Sequence, residues 1–206
     1  MKFEDYQRLA VRTAKPLPTL EENLKHVAMG LASETGELSL TVAQAFMRMP
    51  LEMKNFPEEI GDACWYAALL CDVMGFQFHE LTSDPATLSD WSPELAGAVV
   101  ARNPVALTLM FSFFAGEIVG AIKAHTIYGK ELDADHIRKH LVLFIATASL
   151  LSDLHGFDFV EVALHDNIVK LRDRYPKAYS DEDAVLRMDK KVRSPEESKP
   201  SLVLVH

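Results

Sequence analysis

Apolar residues recur at intervals of three and four along almost the whole chain, and the strict alternation that marks strands is nearly absent. Phe3, Tyr6, Leu9 and Ala10 predict a short amphipathic helix ended by KPLP. Thr19, followed by Glu21 and Glu22, caps a second helix that carries Leu24, Val27, Leu31, Leu38 and Val42 toward Met49. Asn55 is the cap candidate of a third, with Pro57 in its first turn, Ile60, Trp65, Leu69, Leu70 and Val73 along it, and a stop at Gly75. Its broad apolar surface implies burial on more than one side. Residues 82–103, rich in proline and small polar residues, read as a connector with one short helix. Helical periodicity returns from Pro104 to Tyr128 with a stop at Gly129, from Ala134 to His155 with a stop at Gly156, from Asp158 to Arg174 before Pro176, and from Asp181 to Lys191. The tail ESKPSLVLVH needs a docking surface to be ordered. The fold class is all-α.

Four carboxylates interrupt this pattern in two matched pairs. Glu34 and Glu37 stand three apart in LASETGEL, and Glu59 and Asp62 stand three apart in PEEIGDACWYAALL. Three-residue spacing puts each pair on one helix face, so folding the two helices together can bring all four into one place. Like charges at that distance repel, and burying each is costly. A divalent cation relieves both penalties. The competing reading, solvated faces of amphipathic helices, suits either pair alone better than both together. Gly61 gives close approach at the second pair, while Glu58 is expected to turn toward solvent.

Composition narrows the function classes. A formal net charge of −9 and 25% charged residues argue against a nucleic-acid polymer as partner, although a metal with a few local cations can still receive a nucleotide. With 49% hydrophobic residues in 206, the chain can build a real core. Cys64 and Cys71, about 10 Å apart along one helix, are too distant for a disulfide and read as core residues of a reducing compartment. The start MKFEDYQRLA lacks the apolar run of a signal peptide, and no span-length stretch is free of charge, so the expectations are a cytoplasmic location and no membrane partner.

The two halves of the chain repeat each other. CDVMGFQFHE, Cys71 to Glu80, aligns with SDLHGFDFVE, Ser152 to Glu161, at an offset of 81, and ASETGEL aligns with FFAGEI, ending at Ile118, at an offset of 80. Glu34, Glu37, Glu59 and Asp62 become Phe114, Glu117, His140 and Leu143, which suggests one acidic site per chain and a second half that completes the pocket. The expected organisation is a first half at 1–81 with the acids, a connector at 82–103, a degenerate half at 104–191 and a tail at 192–206, the halves forming one four-helix core.

GLASETGEL followed by EEIGDACWYAALL resembles the all-α nucleoside triphosphate pyrophosphohydrolases, the MazG-like superfamily that includes the dimeric dUTPases. The family pattern is two adjacent glutamates and a third three residues on, then Glu-x-x-Asp. Glu34, Glu37, Glu59 and Asp62 match it, and Ser33 stands where the leading glutamate would be. The resemblance implies a MazG-like bundle in which these four residues bind Mg2+, with Mn2+ a possible substitute, and a reaction in which water attacks the α-phosphate of a (d)NTP to give (d)NMP and pyrophosphate. Glu34 is the first choice for the residue that handles the water. DNIVKLRDRYPKAYSDEDAVLR looks like the ending of these proteins, which makes Asn167 and Lys170 candidates for substrate binding, joined by Arg174 one turn on and by Lys123 and Lys130 from the second half. Trp65 is a candidate wall for the base, with core packing as its alternative. His79, His125, His136 and His140 read as packing or surface residues, and Phe111, Phe113 and Phe114 as filling between the halves. The implied role is removal of unwanted nucleotides or control of a dNTP pool. The alternatives are a catalytically inactive helical interaction or regulatory protein, and a related enzyme acting on dUTP/dUDP or phosphoribosyl-ATP. The broad apolar helices also suggest a homodimer of pseudo-dimeric chains.

Overall fold

The computed structural model describes residues 1–47, 55–81 and 92–187, with side chains from Phe56 onward in the middle segment. Among these residues every regular element is helical. A 3-10 turn at Phe3–Asp5 leads into α1 (Tyr6–Val11), followed by α2 (Leu20–Phe46), α3 (Asn55–Met74), a second 3-10 turn at Phe78–Leu81, α4 (Pro93–Val100), α5 (Pro104–Tyr128), α6 (Ala134–Leu154), a π-helical segment at Phe159–His165, α7 (Asp166–Arg174) and α8 (Asp181–Leu186). The expected end of α2 near Met49, the side chain of the cap candidate Asn55, the first part of the connector and the continuation to Lys191 with the tail lie outside the described residues.

Local chemistry sets the boundaries that are described. The Thr19 hydroxyl oxygen accepts from the Glu22 amide at 3.2 Å and its proton goes to Glu22 Oε2 at 2.7 Å, a side-chain N-cap. Ser92, Asn103 and Asp133 cap α4, α5 and α6 with side-chain oxygens that accept first-turn amides. The α5 stop at Gly129 has φ 65°, a left-handed conformation that glycine adopts without a Cβ penalty. The repeated Gly-Phe turns are alike in detail. Phe76 donates to the Cys71 carbonyl at 2.8 Å and Phe157 to the Ser152 carbonyl at 3.1 Å, while Gly75 and Gly156 have φ 72° and 77°.

The long helices α2, α3, α5 and α6 form a bundle in which α2 packs on α3 and α5, α5 on α6, and α6 back on α3. α1 lies against α3, and after α6 the chain bends by 110° so that the π segment and α7 cover the start of α3. Cys64 and Cys71 are buried free thiols, as their spacing implied. α5 is long and apolar enough to cross a membrane, yet here Leu107, Phe111, Phe114, Ile118 and Ile122 are buried between its neighbours. Phe111 stacks on Phe144 with centroids 4.1 Å apart, and both are fully buried. Phe113 departs from the expected role of filler: it is 53% exposed, because it lies on the opposite side of α5 from Phe111. The segment expected as one α-helix from Asp158 opens instead as a π helix capped by Asp158.

Replacing Phe144 with Ala removes a ring from this closed core and is expected to cost about 3–5 kcal/mol. Urea unfolding, with an unchanged slope and a lower midpoint, is the check.

Candidate metal centre

α2 and α3 each present their acids to the other. One carboxylate oxygen from each of Glu34, Glu59 and Asp62 lies within 4.8 Å of the others, all three partly buried. Glu37 is more exposed and outside that triad, but its charge acts on both Glu34 and Glu59. Burial first, then the neighbouring carboxylates, pushes Glu34 up to about 7, and the same causes in the same order push Glu59 up to about 7. The Ser33 hydroxyl sits 3.0 Å from the Gly30 carbonyl and 3.2 Å from Glu34 Oε1. It steadies Glu34 without adding charge.

α7 closes the other side. Lys170, 5% exposed, donates to both oxygens of Asp62 at 2.5 and 2.6 Å and to Glu58 Oε1 at 3.1 Å. Asn167 Nδ2 donates to Asp62 Oδ1 at 2.5 Å, while its own Oδ1 is buried with no partner. Glu58 is exposed and outside the triad, as expected, and α7 additionally brings the Lys170 ammonium group to it. The approach of α7 depends on Gly61. A Cβ there would meet the Ala163 carbonyl oxygen of the π segment at 2.5 Å, so the close approach that Gly61 gives is made against this segment.

The other candidates are placed less centrally. Trp65 donates its indole N–H to the Ala10 carbonyl and the Thr13 hydroxyl, each at 3.0 Å, and so faces α1. Tyr66, four residues after Asp62, is the aromatic on the acidic face. Burial, then the charges of Glu34 and Asp62, push its phenol up to about 12, and Arg174 pulls the other way, which puts Arg174 at this same face. Gly30 makes room for the Tyr66 ring, since a Cβ there would lie 2.1 Å from it. His26 packs edge-on to Tyr66 with centroids 5.5 Å apart and keeps a buried, unpartnered Nδ1. Tyr66 and His26 were not singled out by the sequence; the available signal was the i, i+4 spacing from Asp62 and a glycine inside a long helix facing it. Lys123 and Lys130 are exposed at the far end of α5. There His125 acts on Glu21, which lies about 20 Å along α2 from Glu34 by helical rise.

The arrangement is a partly buried set of hard oxygen donors with one ammonium group at its edge. It suits an oxygen-preferring divalent ion and an anionic ligand. No protein-family model, no curated protein and no solved structure matches this chain.

The raised carboxyls make a signed prediction for protein stripped of divalent ions. Folded Glu34 and Glu59 bind protons up to about pH 7, whereas their unfolded values are near 4.5. Their contribution to stability is therefore fully present below about pH 4.5 and is lost as pH rises through about 7. Urea midpoints at several pH values should show this fall, and Glu59→Gln should flatten it. A wild-type midpoint that does not fall relative to the variant would contradict the assignment.

Proposed function

We propose that the chain is a Mg2+-dependent nucleoside triphosphate pyrophosphohydrolase with a MazG-like bundle, its two helical halves related by the offset of 80–81 residues. The observation that carries this reading is the convergence of Glu34, Glu59 and Asp62 from two helices, with Glu37 acting on two of them. The donor set fits Mg2+: every candidate ligand atom is a carboxylate oxygen, and two of the carboxyls have raised pKa values in a cluster short of positive charge. The orphaned Oδ1 of Asn167 beside Asp62 adds a buried acceptor to the same place.

Glu34, Glu37, Glu59 and Asp62 would hold the ion. When bound, Mg2+ supplies charge neutralisation of the triphosphate and polarisation of the phosphoryl group. Glu34, with a pKa of about 7, is suited to take a proton from water near neutral pH. The water oxygen bonds to the α-phosphorus, the bond to the bridging oxygen breaks, pyrophosphate leaves, and the proton goes to Glu34. Lys170 holds Asp62 in place and offers positive charge to the phosphates, with Arg174 one turn further along α7. Tyr66 and His26 form an aromatic wall on the Glu34 side for the base. Removal of unwanted nucleotides or control of a dNTP pool is the corresponding role.

One observation favours a second reading, a helical interaction protein without catalysis: Lys170 already engages both oxygens of Asp62 and so compensates part of the acidic charge internally. A panel of dNTPs and NTPs, with dUDP and phosphoribosyl-ATP included, separates the two. In Mg2+, each triphosphate hydrolysed should yield the monophosphate product and pyrophosphate in equal amounts, and dUDP would yield dUMP and phosphate, with Glu59→Gln lowering the rate by about 100-fold or more. Absence of turnover by folded protein across the panel in Mg2+ and Mn2+ would favour the interaction protein.

A homodimer is the proposed assembly. Ser39 and Ser112 join α2 to α5 at 2.9 Å, and the adjacent Leu40 and Phe113 are 58% and 53% exposed. A second copy of this chain would cover them. Sedimentation should give a dimer that Phe113→Ser weakens; a monomer at all concentrations would remove this part of the proposal.

A further inference from the structure

A second set of donors lies where α5 meets α6. Glu117 comes from α5, and His136 and His140 sit at i and i+4 on α6, with one ligand atom of each within 4.8 Å of the others. His136 Nε2 is 3.4 Å and His140 Nε2 4.0 Å from the same oxygen, Glu117 Oε2. Both separations are longer than a hydrogen bond. They approach the roughly 3.4 Å between donors that each stand about 2.0–2.1 Å from one tetrahedral ion. The three side chains therefore frame an ion-sized gap.

The imidazoles are oriented for ligation. His140 is 8% exposed, and its Nδ1 lies 2.8 Å from the His136 carbonyl oxygen. A carbonyl only accepts, so Nδ1 carries the hydrogen and, in the neutral ring, the lone pair is on Nε2, the atom that faces Glu117. The two rings pack 4.1 Å apart at 37°, and the Phe114 ring, 6.2 Å from His140, forms an apolar neighbour. The start of α6 is itself fixed, because the His136 amide donates to the capping Asp133 at 2.9 Å.

We infer that Glu117, His136 and His140 form a binding site for a divalent transition-metal ion of the Zn2+ class, clasping α5 to α6. Two imidazole nitrogens and one carboxylate oxygen suit Zn2+, Co2+ or Ni2+ rather than Mg2+, and three protein ligands leave a position open to water or an exchangeable ligand. By the repeat offsets, Glu117 stands at the position of Glu37 and His140 at that of Glu59. The second half keeps donors at the crossing of its two helices and exchanges hard oxygen for imidazole. The site stands on its own geometry and is independent of the pyrophosphohydrolase reading.

The test is calorimetric titration of Zn2+ into the full-length, chelator-stripped protein with excess Mg2+ present to occupy the acidic cluster. One equivalent should bind, with the affinity lowered roughly tenfold or more in His136→Ala and in Glu117→Gln, and unchanged in Glu59→Gln. His136 is partly exposed, so its variant is the one to use if His140→Ala does not fold. Co2+ added to the wild type gives an independent readout: visible bands of a low-coordinate nitrogen-ligated ion, absent in His136→Ala. Absence of stoichiometric Zn2+ binding, equal binding by the His136 and Glu117 variants, or loss of binding in Glu59→Gln instead would each overturn the inference.

Discussion

Repulsion among partly buried carboxylates is the constraint around which this bundle is arranged. Glu34 and Glu59 have values near neutrality because burial and the neighbouring acids both disfavour their charged forms. Packing energy elsewhere must hold α2 and α3 together against that cost. It comes from a closed four-helix core in which α3 is buried on several sides, with Ile60, Ala63, Cys64, Ala67 and Leu70 fully inaccessible. An acidic cluster of this kind on an isolated helical hairpin would push the helices apart. Held within a bundle, the carboxylates stay together on facing helices.

The second element of the design is how closely the other helices can approach. Gly61 lets the π segment lie against α3, and this contact brings Asn167 and Lys170 onto Asp62. Gly30 does the same for the Tyr66 ring on α2. Each glycine lowers helix propensity by roughly 1 kcal/mol relative to alanine, and each is repaid by a contact that a methyl group would prevent. The π segment widens the backbone just before α7, an irregularity of the type that recurs near functional positions in helices. The ammonium group of Lys170 then supplies the main positive charge acting on Glu34.

Much of this was legible in the sequence because helix ends and helix faces are local properties. Thr19 and Gly129 announced their boundaries by capping chemistry, and three-residue spacing placed Glu34 with Glu37 and Glu59 with Asp62. Which residue faces which neighbour is not local. Trp65 and Tyr66 are adjacent, yet the indole points to α1 and the phenol to the acids, a difference of 100° around α3 that only the placement of α1 decides. Glu58 is the surface residue its position suggested, but that α7 brings Lys170 to it is not a local property. His136 and His140 carried an i, i+4 signal on one helix, but their third partner lies on another, and no short motif joins them to Glu117.

The two donor clusters show what the crossing of packed helices fixes and what it leaves free. The crossing of paired helices fixes where side chains converge, because backbone separation and the three- and four-residue spacings are set by packing. The identity of the converging atoms is not set by packing. An oxygen-only cluster as acidic as the one between α2 and α3 needs a strongly hydrated cation or protons to be stable, whereas imidazoles between α5 and α6 can be buried neutral. His140 illustrates the point: burial lowers its pKa, the reverse of the effect on Glu59, and so favours its uncharged form. An acid converted to histidine at such a crossing removes repulsion from the core while keeping a lone pair there. A bundle with two such crossings can therefore keep one of them acidic while the other, lined by imidazoles, is buried neutral.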